Sequence, residues 1–80
     1  MPRYFFHTRD GQRHIDDEGW ELPDDRTARR EAVRYGGNLL ADDPDMLLGD
    51  ADFRVDVSDE RGVLRFAMVM VAIAPVGDDD

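Results

Sequence analysis

The sequence predicts an α+β domain: a ββαββ chain whose two hairpins make a four-stranded, mainly antiparallel sheet with one helix packed on one face. Three observations carry that reading. Asp10-Gly11 stands between two short strand-forming runs, and both positions tolerate the positive φ that a two-residue hairpin turn demands. From Arg26 to about Ala41, apolar residues recur at helical spacing. Phe53, Val55 and Val57 then alternate with Arg54, Asp56 and Ser58, the period of a half-buried strand, before Asp59-Glu60-Arg61-Gly62 turns the chain into a last strand-forming run.

Each element has its own reason. Tyr4-Phe5-Phe6-His7-Thr8 is rich in side chains that suit a pleated surface. With Asp10 and Gly11 as the central turn residues, Arg9 falls opposite Gln12, Thr8 opposite Arg13, His7 opposite His14 and Phe6 opposite Ile15. One face of the hairpin then carries Tyr4, Phe6, Thr8, Arg13 and Ile15, the core candidates, and the other carries Phe5, His7, His14 and Asp16. Asp16-Asp17-Glu18 with Gly19 reads as a bend, followed by the apolar anchors Trp20 and Leu22. Pro23-Asp24-Asp25 stops the extended chain and starts the helix, with Asp24 or Asp25 as N-cap, because a carboxylate there accepts the first free N–H groups and complements the helix dipole.

Ala28, Ala32, Tyr35, Gly36 and Leu39 form the stripe expected to face the sheet, flanked by Val33 and Leu40. Gly36-Gly37 weakens the helix by roughly 1 kcal/mol per glycine against alanine, so fraying, a kink or an early end is expected there. Asp42-Asp43-Pro44-Asp45 is a stop signal, beyond which Met46, Leu47 and Leu48 tuck in, with room for a short helical turn. The final segment alternates through Leu64, Arg65 and Phe66 but is apolar on both faces from Ala67 to Ile73. Such a strand is either central in its sheet and covered twice, or part of a subunit interface. One helix covers one face of the sheet, so Phe5 and some of Val63, Ala67, Val69, Val71 and Ile73 are left for a second copy of the chain to cover.

Size and composition bound the rest. The 80 residues are read as one domain over residues 1–76 and a disordered acidic tail over residues 77–80. The aromatic run beginning at Tyr4 predicts a fold that starts at the first residues, with no signal peptide ahead of it. There is no cysteine, hence no disulfide framework and no thiol nucleophile. Nineteen acids against ten bases give a net charge of −9, and every base is an arginine. That balance opposes binding to phosphate backbones and anionic membranes. The longest apolar run, Phe66 to Ala74, is far short of the roughly 20 residues a spanning helix needs. A cytoplasmic location is expected.

The candidate sites are few. His7 and His14, facing one another with Asp16 further along the same face, are candidate ligands for a divalent metal; the alternative is an aromatic cross-strand pair packed beside Phe5. Asp16, Asp17 and Glu18 invite an acid/base reading against that of a solvated bend. Asp42, Asp43, Asp45, Asp50 and Asp52 lack the glycine and terminal glutamate of a calcium loop. Arg26, Arg29, Arg30 and Arg34 form the one basic patch, a surface for an anion or an acidic partner, or else a solvated helix face. Phe5, Val69, Val71 and Ile73 are the candidate interface residues. The hydroxyls of Thr8, Thr27 and Ser58 have no histidine at a spacing that suggests nucleophilic catalysis, and no catalytic residue and no cofactor are assigned.

Met1-Pro2-Arg3-Tyr4-Phe5-Phe6-His7, the Asp10-Gly11 turn, the segment Asp16-Asp17-Glu18-Gly19-Trp20-Glu21-Leu22-Pro23-Asp24 and the helix with Glu31-Ala32 and Leu39-Leu40 resemble a family of short bacterial proteins classified as a domain of unknown function. The resemblance covers most of the chain and implies a small cytoplasmic protein with no assigned activity and no functional residues to carry over. The leading expectation is a noncatalytic interaction module that pairs with itself as a homodimer or with another protein. The competing reading is a small-ligand or metal-binding protein built on His7, His14 and Asp16. A further one, at the level of topology alone, is an antitoxin-like partner of a toxin.

Overall fold

The computed structural model describes residues 1–48 and 52–73. The acidic tail Gly77–Asp80, and Asp50 of the calcium-like run, lie outside the described residues. Among the described residues the chain is α+β, with one helix over an antiparallel sheet of five strands, three of them long enough to form a core. Strand β1 (Arg3–Arg9) pairs along one side with β4 (Phe53–Ser58), which pairs in turn with β5 (Leu64–Met70). The other side of β1 is shared by two short strands. β2 (Arg13–His14) takes its C-terminal end, and β3 (Trp20–Glu21) takes its N-terminal end.

The extra strand is the first departure from the four-stranded expectation. Trp20 and Glu21 pair with Tyr4 and Arg3, and the Leu22 N–H donates to the Pro2 carbonyl at 3.0 Å, so the segment after the bend returns to β1 instead of running directly into the helix. Gly19 makes that return possible. It has φ +74°, and a Cβ there would stand 2.8 Å from Arg3 Cγ and 2.9 Å from Phe5 Cε1, so both the backbone conformation and the close approach to β1 require glycine.

The hairpin register is the second departure. Thr8 faces His14 and Arg9 faces Arg13, so the loop has three residues, Asp10-Gly11-Gln12. The Asp10 carboxylate accepts the Gln12 N–H at 3.3 Å, and this side-chain turn draws Gln12 into the loop. A slip of one residue exchanges faces. His14 therefore leaves the His7 face for the Thr8 face, and Ile15, expected in the core, is 58% exposed.

Helix α1 (Asp25–Asp42) begins as expected, with Asp24 as N-cap: its carboxylate accepts the Thr27 N–H at 2.8 Å and the Thr27 hydroxyl at 2.7 Å. It passes through Gly36-Gly37 without ending. Ala28, Ala32 and Gly36 are buried against the sheet, with Leu39 and Leu40 packed alongside, whereas Tyr35 and Val33 turn outward. A 3₁₀ turn (Pro44–Leu47) then brings Met46 and Leu47 onto the core. That core is Tyr4, Phe6, Leu22, Ala28, Ala32, Phe53, Val55 and Val57. Every second residue of β1 and β4 contributes to it, as the alternation demands.

Among the described residues the last strand does not take the expected central position: β5 is the edge of the order β2-β1-β4-β5. Phe66, Met68 and Met70 pair with core residues of β4, and Ala67 and Val69 lie opposite Asp56 and Arg54 on the outer face. That face carries His7, Arg54, Asp56 and Ser58 beside Phe5, and so is less apolar than expected. Phe5 is half-buried, and its ring stacks parallel to His7 at 6.4 Å. Val69 is half-exposed, and Val71 and Ile73 are exposed beyond the end of β5.

Candidate functional site

His7 and His14 are carried on opposite faces of the β1–β2 hairpin. Both ring nitrogens of His7 are engaged: Nδ1 accepts the Asp16 backbone N–H at 3.1 Å, and Nε2 lies 3.2 Å from Ser58 Oγ. An Nδ1 that accepts from a backbone amide leaves the proton on Nε2, which therefore donates to Ser58. This histidine–serine contact spans 51 positions and has no signal in local spacing. It is not a nucleophile-activating pair, since the base in such a pair must accept the hydroxyl proton at Nε2 and be oriented through an Nδ1–H.

Asp16 does reach His7, but through its amide. Its carboxylate turns back onto the bend, accepting the N–H groups of Phe6 at 3.1 Å, Glu18 at 3.0 Å and Gly19 at 3.1 Å. The Phe6 amide faces the gap between β2 and β3, and Asp16 fills that gap. Burial alone would raise the Asp16 carboxyl, but the three amide donors, with His7 nearby, outweigh it and hold the group below the usual carboxylate range. His14 is exposed, its Nε2 3.5 Å from the Asp10 carboxylate. No group of three or more histidine or carboxylate side chains gathers in a metal-holding arrangement among the described residues.

The arginines converge. Arg26, Arg29, Arg30 and Arg34, spaced along the helix at three and four residues, line an open groove between α1 and β5 together with Val33, Asp25 and Phe66. The Arg29 guanidinium lies over the Phe66 ring, 5.2 Å from its centroid. At the start of the groove Asp25 is clamped from both sides: Arg65 donates from Nε and Nη2 at 3.0 and 2.7 Å, and the Tyr4 hydroxyl donates at 2.7 Å. Arg65 and then Tyr4 hold the Asp25 carboxyl below its ordinary range. The same hydrogen bond, with burial and the Asp25 charge, pushes the Tyr4 phenol up to about 12.

A model of the family described as domain of unknown function (DUF6894) matches residues 3–71. The chain belongs to the DUF6894 family. Comparison with curated proteins and with solved structures finds no match. The matched residues of this DUF6894 chain run from the start of β1 to just past β5, and the segment Asp16–Asp24 has an architectural role within them. Asp16 closes the gap on β1, Gly19 makes the bend, Glu21 binds the Arg3 guanidinium at 2.9 Å, Leu22 enters the core and Asp24 caps the helix. No helix of the described residues is long and apolar enough to cross a membrane.

Proposed function

We propose that this chain is a noncatalytic protein-interaction module that takes an acidic, extended segment of another protein along β5 and the arginine face of α1. The observation that carries the reading is the coincidence of two features. Among the described residues β5 pairs on one side only, with β4, and four arginines of α1 stand beside its inner face. An edge strand offers a row of main-chain donors and acceptors that a partner strand can complete, with side-chain chemistry supplying the choice of partner. Here that chemistry is guanidinium, which suits bidentate recognition of carboxylates. Leu64 and Val69, both exposed, add apolar contact along the strand.

The same placement disfavours the homodimer that the apolar last strand suggests. Antiparallel pairing of two β5 strands about a two-fold axis puts both helices on one side of the joined sheet, so the two arginine faces approach each other. Like charges set against one another across an interface are costly. An acidic strand meets no such opposition, and local attraction at the groove works against the repulsion of the net −9 charge.

The test is selection from a random peptide library, followed by mapping of amide chemical shifts with an enriched peptide. The reading requires acidic peptides whose binding moves the Leu64–Met70 amides and is abolished by Arg29→Glu with Arg30→Glu. Peptides without acidic bias, shifts confined to another face, or a chain that runs as a stable dimer losing its partner on Val69→Lys would each overturn it.

A further inference from the structure

On the opposite flank of α1 from the arginine groove lies a second concavity. It is a cleft of about 460 Å³ between the helix and the β2–β3 side of β1, within the roughly 300–1,000 Å³ typical of small-ligand sites. Its walls combine rings with polar groups, and Thr8, His14 and Ile15 are among them. Phe6, Trp20 and Tyr35 supply three rings: Phe6 stands 6.3 Å from Trp20 at an interplanar angle of 51°, and 6.3 Å from Tyr35 at 66°. Mutually inclined rings give a concave surface of π faces and edges instead of a flat stack. Trp20 and Tyr35 keep 50% and 42% of their surface exposed, so both rings are open to a ligand in the cleft.

The polar groups point the same way. Asp16, Glu18 and Glu31 line the cleft beside His14 and Thr8, and no arginine is among the lining residues. Glu31 is held by Arg34 at 3.1 Å, but Arg34 reaches it from the other flank of the helix, where it lines the arginine groove. Three ring walls bearing negative π faces, with three carboxylates around them, no arginine in the lining and the His14 ring set beside the Asp10 carboxylate, are complementary to a positive charge that is weakly hydrated and bulky. An anion is excluded by the carboxylates. A small inorganic cation is poorly served, because the Asp16 oxygens are occupied by three backbone amides and no three histidine or carboxylate side chains among the described residues gather to hold an ion.

We infer that this cleft binds an organic cation carrying a methylated ammonium group, seated among Phe6, Trp20 and Tyr35 and neutralised by Glu18 and Glu31. Such a group occurs in free quaternary ammonium compounds and on methylated lysine side chains, and the cleft recognises what the two share. This site is separate from the arginine groove, so its fate does not depend on the interaction reading above.

Trp20, the single tryptophan of the chain, is a built-in reporter. The experiment titrates the full chain with choline, with a trimethyl-lysine peptide, and with the uncharged tert-butyl isostere of choline, following Trp20 fluorescence. The expected result is saturable binding of at least one of the two cations, with affinity at least tenfold above that of the isostere. Saturation by choline assigns the site to free ammonium compounds; saturation by the peptide alone assigns it to methyl-lysine. Tyr35→Leu, which removes a ring from an exposed position, should weaken binding roughly three- to thirtyfold. Glu31→Gln should weaken it further at low salt than at high salt. Circular dichroism of both variants confirms that the fold persists. The inference is overturned if neither cation saturates at concentrations on the order of tens of millimolar, if the isostere binds equally well, or if Tyr35→Leu in a folded protein leaves affinity unchanged.

Discussion

Gly36 and Gly37 are neighbours in the same helix with the same backbone conformation, and they give a sharp test of how closely α1 lies on the sheet. Alanine at either position gains about 1 kcal/mol of intrinsic helix propensity. At Gly37 nothing lies within 4 Å of the added Cβ, so the whole gain is realised. For a domain of this size it raises Tm by roughly 4–8 °C. At Gly36 the added Cβ runs into the Met68 Cε methyl and meets Phe53 Cε2 and Val55 Cγ2 at 3.4 Å each. Met68 is flexible and half-buried, so it can swing aside, at about 0.5–1.5 kcal/mol for a displaced rotamer. Gly36→Ala therefore comes out near neutral, while Gly36→Val, with two further carbons over the same contacts, loses about 1–3 kcal/mol. Urea and thermal unfolding followed by Trp20 fluorescence measure all three. Because propensity cancels between the two alanine variants, their difference isolates packing, and Met68→Ala should recover most of it in a double-mutant cycle. Equal stabilisation by Gly36→Ala and Gly37→Ala would refute the close approach of α1 to β4 and β5.

Two further predictions concern the polar clasps. The Tyr4 phenol, raised from 10.0 to about 12 by its bond to Asp25, keeps its proton in the folded state where the unfolded chain has lost it. Its contribution to stability is therefore complete below pH 10 and declines as pH rises toward 12, a decline that Tyr4→Phe should remove in alkaline urea unfolding curves. Asp16 is depressed instead, so its contribution is present above the ordinary carboxylate pKa and is lost as pH falls through its lower folded value. Asp16→Asn replaces an acceptor oxygen with a donor beside the Phe6 or the Glu18 and Gly19 amides. It should cost roughly 1–3 kcal/mol at neutral pH and flatten the acid limb. An unchanged midpoint in urea would show that the bend does not depend on this carboxylate.

What could be read from the chain alone follows the range of the forces involved. The alternation of Phe53, Val55 and Val57 is a local pattern, and all three are among the most buried residues of the molecule. Asp24 caps the helix through a group three residues away, and the arginine face is legible because helical spacing of three and four places those side chains together. The features that escaped are set by tertiary partners or by one or two hydrogen bonds. Asp10-Gly11 signals a hairpin correctly, but two hydrogen bonds between Asp10 and Gln12, one to the carboxylate and one along the backbone, lengthen the loop and move His14 to the other face. Trp20-Glu21 is too short to show a period. The His7–Ser58 contact and the Arg29–Phe66 contact each join distant segments. The two-sided apolar pattern of β5 reads as a central strand, yet β2 and β3 occupy the far side of β1 and leave β5 at the edge.

The net charge of −9 suggests a uniformly acidic surface, and the helix contradicts it. Around α1, Ala28, Ala32 and Gly36 face the sheet, Arg26, Arg29, Arg30 and Arg34 turn toward β5, and Glu31 and Tyr35 turn toward β1 and β2. A helix has room for such a division because roughly 100° separates successive residues, leaving a flank on each side of the buried stripe. Small side chains on that stripe let the helix lie low, so both flanks become walls of grooves instead of exposed ridges. The two grooves differ in sign, and the Glu31–Arg34 pair joins them across the helix surface. Replacing Ala32 by a larger residue would lift the helix and widen both grooves at once. Changes on either flank should remain separable, because the residues of one groove do not line the other. The division of the helix surface into two grooves thus depends on its least conspicuous residues, the alanines and the glycine of the buried stripe.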